Sequence, residues 1–102
     1  MPDISATPMR ASEPGTRAAV ADMHAAAIAA GVLPLWTITF DPIDCPGLYV
    51  ARMHVAGAGV GAATSAAVSG FTLEEVRAVL PPGMIRFERF PNDDPVIVES
   101  WL

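Results

Sequence analysis

Two stretches of this chain place an apolar residue at every second position. In Leu35 to Phe40, LWTITF, the residues Trp36, Ile38 and Phe40 alternate with Thr37 and Thr39. In Tyr49 to Val55, YVARMHV, the residues Tyr49, Ala51, Met53 and Val55 alternate with Val50, Arg52 and His54. Successive side chains of a strand point to opposite faces, so both segments fit a sheet that is covered on one side. The intervening DPIDCPG, residues 41 to 47, holds two prolines and a glycine and reads as a turn-rich connection, so the two strands are expected to pair antiparallel.

Around this pair the other elements follow from punctuation and period. Residues 1 to 14 contain three prolines among small polar residues and read as a flexible lead-in. Thr16 to Ala30, TRAAVADMHAAAIAA, is helical by its alanine content, and Gly31 is placed to stop it. Val20, Met23, Ala27 and Ile28 form one thin apolar stripe, with Arg17, Asp22 and His24 off it. A stripe this thin suggests a helix that docks on something without forming core, over residues 15 to 31. Ala56 to Gly61 reads as a glycine-rich loop and Thr64 to Ser69 as a short strand.

Phe71-Thr72-Leu73-Glu74-Glu75-Val76 has the spacing of a capping box, with Thr72 capping the Glu75 amide and Glu75 reaching back. Phe71 and Val76 stand at the spacing of a hydrophobic staple. This helix is expected from residue 72 to about Leu80, ended by Pro81-Pro82-Gly83. Met84 to Phe90 alternates Ile85 and Phe87 with Arg86 and Glu88, a strand with one polar face. Pro91 to Pro95 is a turn, and Val96 to Leu102 a last strand. The expected fold class is α+β: a small antiparallel sheet of four to five strands with one packed helix, in a core domain over residues 32–102, preceded by the Ala-rich helix.

Charge and composition narrow the function. At 102 residues the chain has room for one modest core. The net charge is −5, and the six arginines are scattered without a basic cluster, so direct nucleic-acid binding is not expected. The single cysteine, Cys45, excludes an internal disulfide framework and fits a reducing cytoplasm. The first ten residues lack the basic start and apolar stretch of a signal peptide, and the low-charge stretch from Ala25 to Phe40 is broken by Gly31 and Pro34, so no membrane span is expected. The sequence therefore predicts a cytoplasmic protein.

Each candidate for chemistry has a simpler explanation. Asp93-Asp94 lies between Pro91 and Pro95, where aspartates favour turns, and no further ligands converge on it in the sequence. Gly57, Gly59 and Ala62 match a phosphate fingerprint superficially, but a helix of useful length does not follow before Gly70. Cys45 and His54 would make a nucleophile pair only if brought together in space, and Cys45 has no helix N-terminus to lower its pKa. Arg52 and Arg86 fall on polar strand faces and would suit one anionic partner, although Glu88 and Glu99 offer them ion pairs. No cofactor or metal is expected.

Two segments, PLWTITFDPIDCPGLYVARMHV and FTLEEVRAVLPPGMIRFERFPNDDPVIVESWL, resemble a family of small uncharacterised proteobacterial proteins. Their shared pattern is a P-L-W-T strand, a V-A-R strand, a T-L-E-E-L-R helix ending in L-P-P-G, and a final D-D-P-V-I-V-E-x-W. Here these fall at Pro34 to Thr37, Val50 to Arg52, Thr72 to Gly83 and Asp93 to Trp101. The resemblance covers about residues 33 to 102 and leaves out the Ala-rich helix. It implies a compact domain and carries no catalytic assignment.

The expected function is a non-enzymatic protein-interaction module, self-associating (a homodimer, for example) or an adaptor, from which residues 1 to 31 could be deleted without unfolding the rest. One alternative is an acidic inhibitor, of the kind carried by phages and mobile elements, of a host nucleic-acid-processing defence complex. It would present Glu74, Glu75, Asp93, Asp94 and Glu99. The other is a small enzyme using Cys45, His54 or Asp93-Asp94.

Overall fold

The computed structural model describes residues 8–57 and 60–102, the side chains of 60–63 and 65 excepted. The described residues form an α+β fold in which six strands make one mixed sheet and two helices cover one of its faces. The strands are β1 (Met9–Arg10), β2 (Leu33–Phe40), β3 (Tyr49–Gly57), β4 (Val60–Gly70), β5 (Arg86–Glu88) and β6 (Ile97–Trp101), in the spatial order β1-β4-β3-β2-β6-β5. Helix α1 (Thr16–Ala29) joins β1 to β2, and α2 (Leu73–Val79) joins β4 to β5. Strands β2, β3 and β4 form an antiparallel meander, and β6 and β5 continue it antiparallel beyond β2.

The sheet has more strands than expected because β1 pairs parallel with β4, Met9 opposite Val68 and Arg10 opposite Ser69. The expected lead-in thus joins the sheet from Met9, and residues 1–7 lie outside the described residues. The pairing makes β1, β4, β2 and β5 run in the same direction. Both helical crossovers then step the same way across the sheet, and crossovers of one hand put both helices on one face.

Trp36, Ile38, Ala51, Met53, Ala66 and Val68 face the helix layer and pack with Val20 and Ala27 of α1 and with Val76 and Val79 of α2. Helix α1 is therefore part of the core, which corrects the expectation of a merely docked element. Its inward face runs through Thr16, Val20, Met23 and Ala27, while Ile28 is exposed. His24, expected off the stripe, is half-buried and its Nδ1 accepts a hydrogen bond of 3.1 Å from Trp36 Nε1. Gly31 does end α1: at φ 81° its N–H reaches Ile28 O, and Val32 N–H reaches Ala27 O.

The hairpin expected as a loop over Ala56 to Gly61 is mostly strand, since Ala56 pairs with Gly61 and Gly57 with Val60; residues 58 and 59 lie outside the described residues. Of the phosphate-like motif, Gly57 ends β3, Gly59 is not described, and Ala62 is a strand residue with no helix opening behind it. At α2 the Thr72 hydroxyl accepts from the Glu75 N–H at 3.2 Å, as expected. Glu75 reaches back to the Phe71 N–H at 3.4 Å, one residue before the N-cap. The staple does not form: Val76 is fully buried and Phe71 is 77 % exposed.

Candidate functional site

Sheet register decides which side chains any partner meets. Trp36 lies opposite Trp101 and Ile38 opposite Glu99, so Glu99 and Trp101 face the helix layer. Arg86 lies opposite Trp101 and Glu88 opposite Glu99, so these also take the helix side, at the β5 edge. Alternation then turns Ile85, Phe87, Ser100 and Leu102 to the other face, together with Leu33, Leu35 and Thr37 of β2 and Arg52 and His54 of β3.

The outer face is covered unevenly. Over β3 and β4 the 41–48 connection folds back, so that Cys45 and Leu48 pack with Val50 and Ala67 in a small second cluster. Asp41, at φ 56°, shapes this loop by accepting the Gly47 N–H on its Oδ1 at 2.6 Å. Over β2, β6 and β5 the outer face is more open, although Leu35, Thr37 and Ser100 are half-buried. There Leu33, Ile85, Phe87 and Leu102 are 53 %, 64 %, 43 % and 41 % exposed. This reverses the expectation for residues 84 to 90, because Ile85 and Phe87 are the open face and Arg86 is turned to the helix side. The open corner and the adjoining β5 edge are the candidate interaction surface.

Behind that corner lies a charged network that holds β6 to α2. Glu99, 1 % exposed, accepts from Arg77 Nε at 2.8 Å and Nη2 at 2.5 Å, and from Trp101 Nε1 at 2.6 Å. Arg86 Nη1 is 3.7 Å from the same carboxylate. Burial would push the Glu99 carboxyl up, but the hydrogen bonds from Arg77 and Trp101, with the charges of Arg77 and Arg86, outweigh it and hold the group below the usual carboxylate range. Among the described residues, no buried side-chain polar atom lacks a hydrogen-bond partner.

The acidic residues expected on one binding face are dispersed. Glu99 is buried in this network and unavailable to a partner, and Glu75 is half-buried beside its cap, leaving Glu74 exposed on α2. Asp93 Oδ2 accepts the Phe90 N–H at 2.8 Å and Asp94 Oδ1 the Val96 N–H at 3.1 Å, so both aspartates shape the turn into β6. Arg52 and Arg86 are not brought together: they lie on opposite faces of the sheet, Arg52 paired with Asp44, and Arg86 3.6 Å from Glu88 as well as near Glu99.

Cys45 and His24 are placed as packing groups, and His54 lies half-buried on the outer face of β3. Cys45 is buried, and its thiol is pushed up by burial and then by Asp44, against the opposing pull of Arg52; a nucleophilic thiol needs the reverse shift. Burial lowers the His24 pKa, which suits a neutral ring accepting from Trp36. No group of three or more His, Cys, Asp and Glu among the described residues is arranged to hold a metal ion. A cleft of about 370 Å³ between α1 and the sheet is lined by apolar residues including Met23, Val32, Met53 and Val55. Its one hydroxyl, on Thr64, already donates to Met53 O at 2.8 Å, so the described lining offers no free polar group to orient a ligand.

Sequence reasoning missed Asp44 and Arg77 as ion-pair partners. Glu99 carried a usable signal, because it shares strand parity with Trp101, whose placement in the core puts Glu99 on the inner face too. No helix among the described residues is long and apolar enough to cross a membrane. Compared with family models, curated proteins and solved structures, the chain matches none.

Proposed function

We propose that this chain is a non-enzymatic protein-interaction module whose binding surface is the open corner of the sheet formed by β2, β6 and β5. The observation that carries this is that Leu33, Ile85, Phe87 and Leu102, all more than two-fifths exposed, share the sheet face opposite the helices, with Ile85 paired to Leu102. Cys45, His24, Asp93 and Asp94 serve packing and turns, which supports a binding role over a chemical one. Inhibition of a nucleic-acid-processing complex through an acidic face has less support, because the acids are divided between a buried network, a helix cap and a turn.

Capture on the full-length tagged protein tests the proposal when compared with Leu33→Ser/Ile85→Ser. Both side chains are exposed, so folding should change little. The wild type is expected to retain a stoichiometric chain, another protein or a second copy, which the variant loses. Equal retention by both, or none by either, would overturn the proposal.

A further inference from the structure

We propose that the partner at the β5 edge is a second copy of this chain, paired β5 to β5 antiparallel about a two-fold axis through Phe87. The inference rests on the interaction function above and names a second copy as the occupant of the edge beside the open corner, which the pairing leaves free.

Backbone geometry sets the register. Ile85 and Leu102 exchange both of their hydrogen bonds, at 2.8 and 3.0 Å. Bonded and non-bonded pairs alternate along an antiparallel ladder, so Phe87 also directs its N–H and C=O at β6. Arg86 and Glu88 direct theirs away from the sheet, and an added strand must bond to these two residues. With the axis at Phe87, Arg86 meets Glu88 of the second copy and Glu88 meets its Arg86. Each pair then exchanges backbone bonds in both directions and sets a guanidinium beside a carboxylate.

Charges on an edge strand ordinarily repel a further strand. These two are of opposite sign and symmetric about one residue, so they attract an antiparallel copy of themselves. Centring the axis on Arg86 or Glu88 would set like charges opposite each other, which selects Phe87. Glu88 also lacks good compensation within the chain: it lies opposite Glu99, its side chain is 83 % exposed, and its arginine contact is 3.6 Å. Arg86 of the second copy supplies the missing counter-charge. The pairing brings Phe87 against Phe87 and makes the open apolar corners of both copies continuous. The contact is short, which places it among weak, transient interfaces.

Sedimentation of the full-length protein from about 1 μM to about 1 mM, the range of weak association, provides the test. The mass is expected to rise from 10.7 kDa toward twice that value. Glu88→Lys sets Lys against Arg86 and should weaken association at least tenfold. Glu88→Pro removes an outward N–H while sparing the bonds to β6, and should abolish association with the circular dichroism and melting temperature preserved. A monomer at every concentration would overturn the proposal, as would a dimer indifferent to both Glu88 variants. A dimer indifferent to them but lost in Leu33→Ser would mean that copies meet by their sheet faces, overturning the edge pairing while the interaction function stands. That function fails separately, if Leu33→Ser/Ile85→Ser alters neither capture nor mass.

Discussion

Glu99 occupies a core position on β6 and depends on its partners for it. Arg77→Met would leave a buried carboxylate facing only Trp101 and the more distant Arg86. It is expected to cost about 3 kcal/mol, the low end for a broken buried pair because Arg77 itself is about one-third exposed. Arg77→Met/Glu99→Gln should recover part of that loss, and urea denaturation of the two variants measures both effects. Because the folded protein holds the Glu99 carboxyl below its ordinary value, the pair's stabilisation is full above the usual carboxylate range and disappears as pH falls through the depressed value. The urea midpoint of the wild type should therefore fall more steeply in acid than that of Glu99→Gln, and parallel curves would contradict the assignment. In the sequence, charge alone groups Glu99 with the other acids, whereas strand parity with Trp101 points to its buried position. The partner itself was illegible, since nothing local connects residue 77 to residue 99.

Elements with strong local punctuation were legible, and those decided by long-range register were not. The Thr72–Glu75 cap and the Gly31 stop depend on neighbours within a few residues, and both form. The alternation of β2 and β3 located the core face because Trp36, Ile38, Ala51 and Met53 all fall on one side of their strands. In β5 the same alternation misled: pairing with β6 places Phe87 beside Ser100, and that register overrides the preference of Phe87 for burial. The second cluster under Val50 was likewise invisible, because it depends on how the 41–48 loop folds back. Helix α2 seats closely on the end of β4, where a Cβ added at Gly70 would stand 2.9 Å from Val76 Cγ2 and 3.3 Å from Glu75 Cβ. Val76 is fully buried and has little room to yield, so Gly70→Ala should destabilise by about 1–3 kcal/mol, read as a lowered melting temperature. An unchanged melting temperature would show that α2 shifts freely.

At the scale of the molecule, the division expected at residues 31 and 32 is only a helix end. Val20 and Ala27 share one cluster with Trp36, Ile38 and Val76, so a chain lacking residues 1–31 should lose cooperative thermal unfolding. A sharp transition in that truncation would show α1 to be dispensable. Fold class was legible from the order of elements, whereas the parallel β1 was not, because a two-residue strand has no periodicity to read. The strand order also bears on how the protein folds. β6 follows every other strand in the chain yet lies inside the sheet, between β2 and β5. Pairing β2 with β6 closes a long loop, so the local β2–β3–β4 meander can form with the β2 edge still bare and Arg77 without Glu99. The sheet is completed only when β6 enters between β2 and β5, so any state in which the meander precedes that step exposes an open β-edge.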